Sequence, residues 1–182
     1  MFDYVSDTDS PQGIMAVCQK KNYRSCNLDF SKNLFLVAAE NLNNPGNLGV
    51  LIRNCAAFDV DGLLLSKNSV DLYNPKVLRA CAGNIFKIKV IENLDFDSEL
   101  KKIKELGFRI FSTSGDALKE CSKTNFKGKS LIVFGNEAAG VSQDIKNLCD
   151  ESVSISMVNG VESLNISVAS GIFLYEAFLQ RR

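Results

Sequence analysis

The chain has 182 residues, 46% of them hydrophobic and 23% charged, enough for one soluble domain with a real core. Its 21 basic and 21 acidic side chains cancel, so nothing global draws it to nucleic acid or a membrane; an RNA or DNA partner would need a local basic patch. Histidine is absent, which excludes Ser-His-Asp and Cys-His nucleophile systems, His-based metal sites and every imidazole base.

Residues 1–32 show no clear periodicity and read as an N-terminal segment. The opening MFDYVSDTDSPQG is acidic and polar, unlike a signal peptide. No apolar run is long enough to span a bilayer. A cytoplasmic protein without membrane contact is therefore expected. IMAVCQ reads as a short strand, and KKNYRS as a basic patch with one aromatic.

From residue 33 onward, strands and helices alternate. NLFLVAAE (33–40) is an apolar run of strand length. LGVLIRNCAAFD (48–59) has helical spacing, with Leu48, Leu51, Ile52, Cys55 and Ala56 on one face. GLLLS (62–66) reads as a buried strand. PKVLRACAG reads as a short helix with Pro75 at its first position and Gly beyond its end. FKIKVI (86–91) alternates as a strand, and DSELKKIKELG (97–107) is an amphipathic helix. FRIFSTS (108–114), SLIVFG (130–135) and SVSIS (152–156) are strands; helices fit at 142–149 and 163–181. The pattern predicts an α/β fold with a mostly parallel sheet and helices on both faces. The cysteines, Cys18, Cys26, Cys55, Cys81, Cys121 and Cys149, are scattered without a C-x-x-C pair, so neither a disulfide framework nor a metal site is expected.

In a parallel α/β sheet, ligands bind at the carboxyl ends of strands. Polar clusters follow strands directly at NLNNPGNLGVLIRN (41–54), STSGD (112–116), GNEAAGVS (135–142) and around Ser163 and Asn165. The first is turn-like on its own, but Arg53 sits beside the apolar face of the helix that follows. An Arg there pairs with a carboxylate such as Glu137, or holds a phosphate; residue chemistry supports both readings equally. Gly135-Asn136-Glu137 reads as a plain turn or as close ligand approach at Gly135 with a carboxylate beside it. Ser163 reads as the N-cap of the last helix, a role compatible with a site. That helix is apolar nearly all round, so it is buried in the domain or at a subunit interface.

Taken in this order, three of these clusters resemble the motifs of the SpoU/TrmH family of RNA ribose 2′-O-methyltransferases, in the SPOUT superfamily. The first resembles Asn41…Asn47…Arg53 followed by CAAFDVDGLLL, the second LIVFGNEAAGVS, and the third ISMVNGVESLNISVASGIFLYEAFLQRR. The resemblance covers residues 33–182, which it implies are the catalytic domain. Residues 6–18 also resemble the segment preceding that domain in ribosomal-RNA members, whose N-terminal RNA-binding domain is not in this sequence. The resemblance implies a C-terminal deep trefoil knot, a homodimer, and S-adenosyl-L-methionine as cofactor.

It further implies cofactor contacts at Gly135, Ile155 and Leu164, with Thr113, Ser114, Met157 and Ser163 as additions. Arg53, Glu137, Ser163 and Asn165 match the family's catalytic positions, with Asn47 close by. The implied reaction is attack of a ribose 2′-OH on the cofactor's methyl group, in which the protein mainly positions the reactants. A guanidinium holds its proton too tightly to be a ready base, so Arg53 is expected to hold phosphate or the developing alkoxide. Ser156 stands where the family has proline, and Ala138 where glycine is common. Ribosomal RNA is the expected substrate, tRNA the alternative, and a catalytically silent RNA-binding module the competing class.

Overall fold

A computed structural model describes residues 13–158 and 163–182. Residues 6–12 of the segment noted above, and 159–162 of the third motif, lie outside them. The strands are β1 (Phe35–Ala39), β2 (Gly62–Ser66), β3 (Lys89–Leu94), β4 (Arg109–Thr113), β5 (Lys119–Glu120), β6 (Ser130–Phe134) and β7 (Glu151–Ser154). The helices are α1 (Pro45–Ala57), α2 (Pro75–Ala80), α3 (Phe96–Glu105), α4 (Gln143–Leu148) and α5 (Ile166–Arg181).

The strands form one seven-stranded sheet in the order β3-β2-β1-β6-β4-β7-β5, and every pair is parallel. Period-two alternation divides its side chains between two cores. Val37, Leu63, Leu65, Ile132 and Phe134 meet Leu48, Leu51 and Ile52 of α1 and Phe173 and Leu174 of α5. Leu36, Leu64, Leu131 and Val133 meet Leu100 and Ile103 of α3 and Ile145 of α4. Strands covered on both faces read as continuous apolar runs, which is why β1, β2 and β6 were visible in the sequence. Among the described residues no helix is long and apolar enough to cross a membrane.

Several boundaries differ from the sequence expectation. IMAVCQ forms no strand; Ile14 and Val17 are 88% and 100% exposed, so its apolar residues have nothing to pack on. The expected strand at 86 begins only at Lys89, because Ala82 and Gly83 both adopt positive φ and lead into a short 3₁₀ turn, Asn84–Phe86. Helix α1 starts at Pro45, because Asn44 accepts from the backbone N–H of Gly46 and Asn47 and Pro45 pre-sets the first turn. The two-residue strand β5 carries too little pattern to be read.

Gly49 lets α1 and α2 touch. A Cβ there would stand 2.4 Å from the Ala80 Cβ and 2.8 Å from the Val77 carbonyl oxygen. Gly49→Ala is therefore expected to cost about 1–3 kcal/mol through overpacking. Urea denaturation checks this as a lower midpoint at unchanged slope.

Candidate functional site

The carboxyl ends of β4, β6 and β7 and the start of α5 enclose a cleft of about 410 Å³. Its floor is apolar: Phe134 and Phe173 meet edge to face, with centroids 5.8 Å apart, flanked by Ile155, Leu164 and Ile166. Its walls are backbone-rich. The loop 135–140 closes on itself, with Asn136 N–H donating to Gly140 O at 3.0 Å and Gly140 N–H to Asn136 O at 2.8 Å. The Asn136 Oδ1 accepts from Ala138 N–H at 2.9 Å, and its Nδ2 donates to the Asn41 carbonyl at 2.9 Å. So the first and second polar clusters are tied together.

A polar chain runs from this loop to α5. Glu137 Oε1 accepts from Asn47 Nδ2 at 2.9 Å and from Asn44 N–H at 3.4 Å. Asn47 Oδ1 accepts from the Ser167 hydroxyl at 3.0 Å. The Ser167 N–H in turn donates to Asn165 Oδ1 at 2.8 Å, making Asn165, not Ser163, the N-cap of α5. Ser163 is exposed and lines the cleft instead; the cap sits two residues later because the helix begins at Ile166. Asn165 also lines the cleft, and its Nδ2 has no hydrogen-bond partner among the described residues.

Of the residues singled out in the sequence, Thr113, Ser114, Gly135, Glu137, Ile155, Met157, Ser163, Leu164 and Asn165 all line the cleft. Asn47 borders it through Glu137. Arg53 does not line it. It is exposed on α1, one residue before Asn54, whose Nδ2 donates to the Ser167 carbonyl and the Ser170 hydroxyl, each at 2.9 Å. The ion pair considered between Arg53 and Glu137 is not formed; Glu137 is occupied by Asn47, and among the described residues Arg53 has no ion-pair partner.

Sequence reading missed two supports. Glu40, only 8% exposed at the end of β1, accepts from the Ser142 N–H at 2.8 Å and hydroxyl at 2.6 Å, anchoring the far end of the Gly135 loop. An acid closing an apolar strand was the available signal. Lys146 of α4 lines the cleft and donates to the Ser114 hydroxyl at 3.0 Å. Ser114 in turn donates to Asp116 and holds that carboxyl below its ordinary range.

A fully parallel sheet with a cleft at its strand ends, floored by aromatics and walled by backbone, defines an α/β domain built to take a small ligand. The SpoU rRNA Methylase family profile matches residues 34–175. The chain belongs to that family. It is 34% identical over 142 residues to an uncharacterized tRNA/rRNA methyltransferase of Synechocystis, covering 78% of this chain and 52% of that protein. It is 35% identical over 149 residues to the 23S rRNA (guanosine-2′-O-)-methyltransferase RlmB of Shewanella oneidensis, covering 81% and 60%. Among solved structures it resembles the SpoU methyltransferase AviRb of Streptomyces viridochromogenes in complex with AdoMet. There the TM-score is 0.78 and the identity 27%, over 82% of this chain and 61% of that one. The chain thus spans between half and two thirds of the length of these relatives.

Proposed function

We propose that this chain transfers the methyl group of S-adenosyl-L-methionine to a ribose 2′-OH of RNA, with ribosomal RNA as substrate. The observation that carries this reading is the junction of Glu137, Asn47, Ser167 and Asn165 at the rim of the cleft. The residues fit the cofactor. The cleft volume lies within the range of about 300–1,000 Å³ usual for ligand sites. An apolar floor suits the adenine ring, and Gly135, Ile155 and Leu164 offer backbone groups beside it, with Thr113, Ser114 and Met157 around them. The cofactor supplies an already activated methyl on sulfonium.

In this reading the ribose oxygen would take that methyl and the spent cofactor would leave as a neutral thioether, while the chain's own residues place and deprotonate the hydroxyl. The Asn165 amide nitrogen and Ser163 orient the ribose. Glu137, the one carboxylate lining the cleft among the described residues, takes the hydroxyl proton. Arg53, exposed on α1, holds a phosphate of the RNA.

We also propose that residues 33–182 form the catalytic domain, that its C-terminal half is knotted, and that two copies pair. Supporting the knot, β6 enters between β1 and β4, and β7 between β4 and β5, although both come later in the chain. Supporting the pairing, α5 presents Val168, Ile172, Tyr175 and Leu179 as one outward apolar stripe, each between 38% and 52% exposed. Work on ribosomal RNA would put the protein in the cytoplasm.

The test is transfer of labelled methyl from S-adenosyl-L-methionine to unmodified ribosomal RNA and, separately, to tRNA. Label in ribosomal RNA alone is expected. Label only in tRNA would move the substrate. No label and no cofactor binding would sink the reading and leave a silent module.

A further inference from the structure

The charges that cancel over the chain do not cancel locally. Between Lys76 and Lys89 the sequence holds Lys76, Arg79, Lys87 and Lys89 and no Asp or Glu. This stretch is α2, the 3₁₀ turn and the start of β3, which is an edge strand of the sheet. An open edge needs cover, and the stretch from Lys20 to Asn27, which includes KKNYRS, lies alongside. Lys89 Nζ donates to the Asn27 carbonyl at 2.8 Å, and the Tyr73 hydroxyl donates to the Lys21 carbonyl at 2.6 Å. Lys20 Nζ stands 4.8 Å from the centroid of the Tyr73 ring. Tyr73 lies two residues before the first residue of α2, so folding carries Lys20 and Lys21 near the start of that helix. A basic surface is thereby assembled from segments about fifty residues apart (the Tyr73–Lys21 separation is 52). Asp71 and Glu92 border it beside Lys20.

Phe86 stands out of this surface. It is 65% exposed, lifted by the turn that the positive φ of Ala82 and Gly83 produces, next to exposed Lys87. None of these residues lines the cleft. An exposed aromatic ring among cations suits a polyanion that also carries flat apolar groups; an acidic peptide would satisfy the charges and leave the ring unused. We infer that the β3 edge is a second RNA-binding surface, remote from the cleft, where the lysines meet backbone phosphates and a base stacks on Phe86. This inference rests on the RNA reading above.

The test is fluorescence anisotropy with an oligoadenylate probe over a salt series, alongside S-adenosyl-L-methionine binding and methyl transfer to ribosomal RNA. The exposed variant Lys20→Ala/Lys21→Ala/Lys76→Ala/Lys87→Ala is expected to lose more than about tenfold in RNA affinity, with a salt slope flatter by about 0.7 for each phosphate it no longer neutralises. Phe86→Ala is expected to lose about tenfold at unchanged slope, and Phe86→Trp to restore it. Cofactor binding stays at the wild-type level in all of them, which also certifies their folding. Variants that hold oligoadenylate as tightly as the wild type overturn the inference. So does loss of polyglutamate binding with RNA affinity intact, which would assign the surface to a protein partner. If the wild type methylates RNA while the variants bind and methylate like it, this surface alone falls. If the wild type neither binds RNA nor transfers methyl, the functional reading falls with it.

Discussion

Asn165→Asp is expected to leave the fold and cofactor affinity intact while lowering methyl transfer about 10²–10³-fold, the range for removing one preorganised donor at a reacting centre. In the proposed reading one side chain has two separable jobs. Asn165 Oδ1 caps α5 by accepting from Ser167 N–H at 2.8 Å, and aspartate keeps that oxygen, with its charge favourable at a helix start. What aspartate lacks is the Nδ2 donor of a residue that lines the cleft. Asn165→Ala removes both, so it should lose about 1 kcal/mol of stability in addition. Arg53→Ala is expected to cost transfer by a similar factor, but through RNA and not cofactor, because Arg53 is exposed on α1 and does not line the cleft. Single-turnover methyl transfer, cofactor titration and thermal unfolding of the three variants check this together. Full activity in Asn165→Asp would remove Asn165 from the reaction and leave it a cap.

Gly135→Ala should abolish productive cofactor binding. A Cβ at Gly135 would stand 1.9 Å from the Gly140 carbonyl carbon and 2.0 Å from Val141 N. These are backbone atoms, so no side-chain rotation relieves the clash. The whole loop must move, and it is held by the Asn136–Gly140 bridge at one end and by Glu40 on Ser142 at the other. Cofactor affinity is expected to drop at least about tenfold, and stability by about 1–3 kcal/mol, a fall in Tm of several degrees for a chain this size. Gly171→Ala is the control. Its Cβ would lie 3.6 Å from Asn54 Nδ2, an ordinary contact, and an alanine within α5 gains helix propensity. If Gly135→Ala binds S-adenosyl-L-methionine as well as Gly171→Ala does, the loop is not the cofactor wall.

Much of the site was legible because it follows strands. Thr113, Gly135 and Ile155 each lie at or just beyond the end of an apolar run, and a parallel sheet aligns such ends in space. What could not be read was which side chains would meet. Asn47 has the look of a turn residue, yet it lies within α1, bonded to Glu137 ninety positions away. Arg53 has the look of a partner for Glu137, because it flanks an apolar helical stripe. One residue of helical rotation separates it from that stripe, and this suffices to expose it. Lys146 could not be picked out, since a single charge on a short polar helix has no distinctive local pattern, and Glu40 offered only its place after an apolar strand.

By itself the sequence determined the alternation of strand and helix, the apolar faces of α1, the polar clusters after β4 and β6, and a chemistry that must work without histidine. These follow from local spacing, which depends on residues a few positions apart. Only the tertiary structure decided that β6 lies between β1 and β4, that Asn165 caps α5, that Glu137 is held by Asn47, and that Lys20 and Lys21 come to rest beside α2. Apart from the cap, each joins segments far apart in the chain. Such contacts are set by how covered sheet faces and closing loops satisfy one another in the folded state, and no local period encodes them. The cap is local, but its position depends on where packing lets α5 begin.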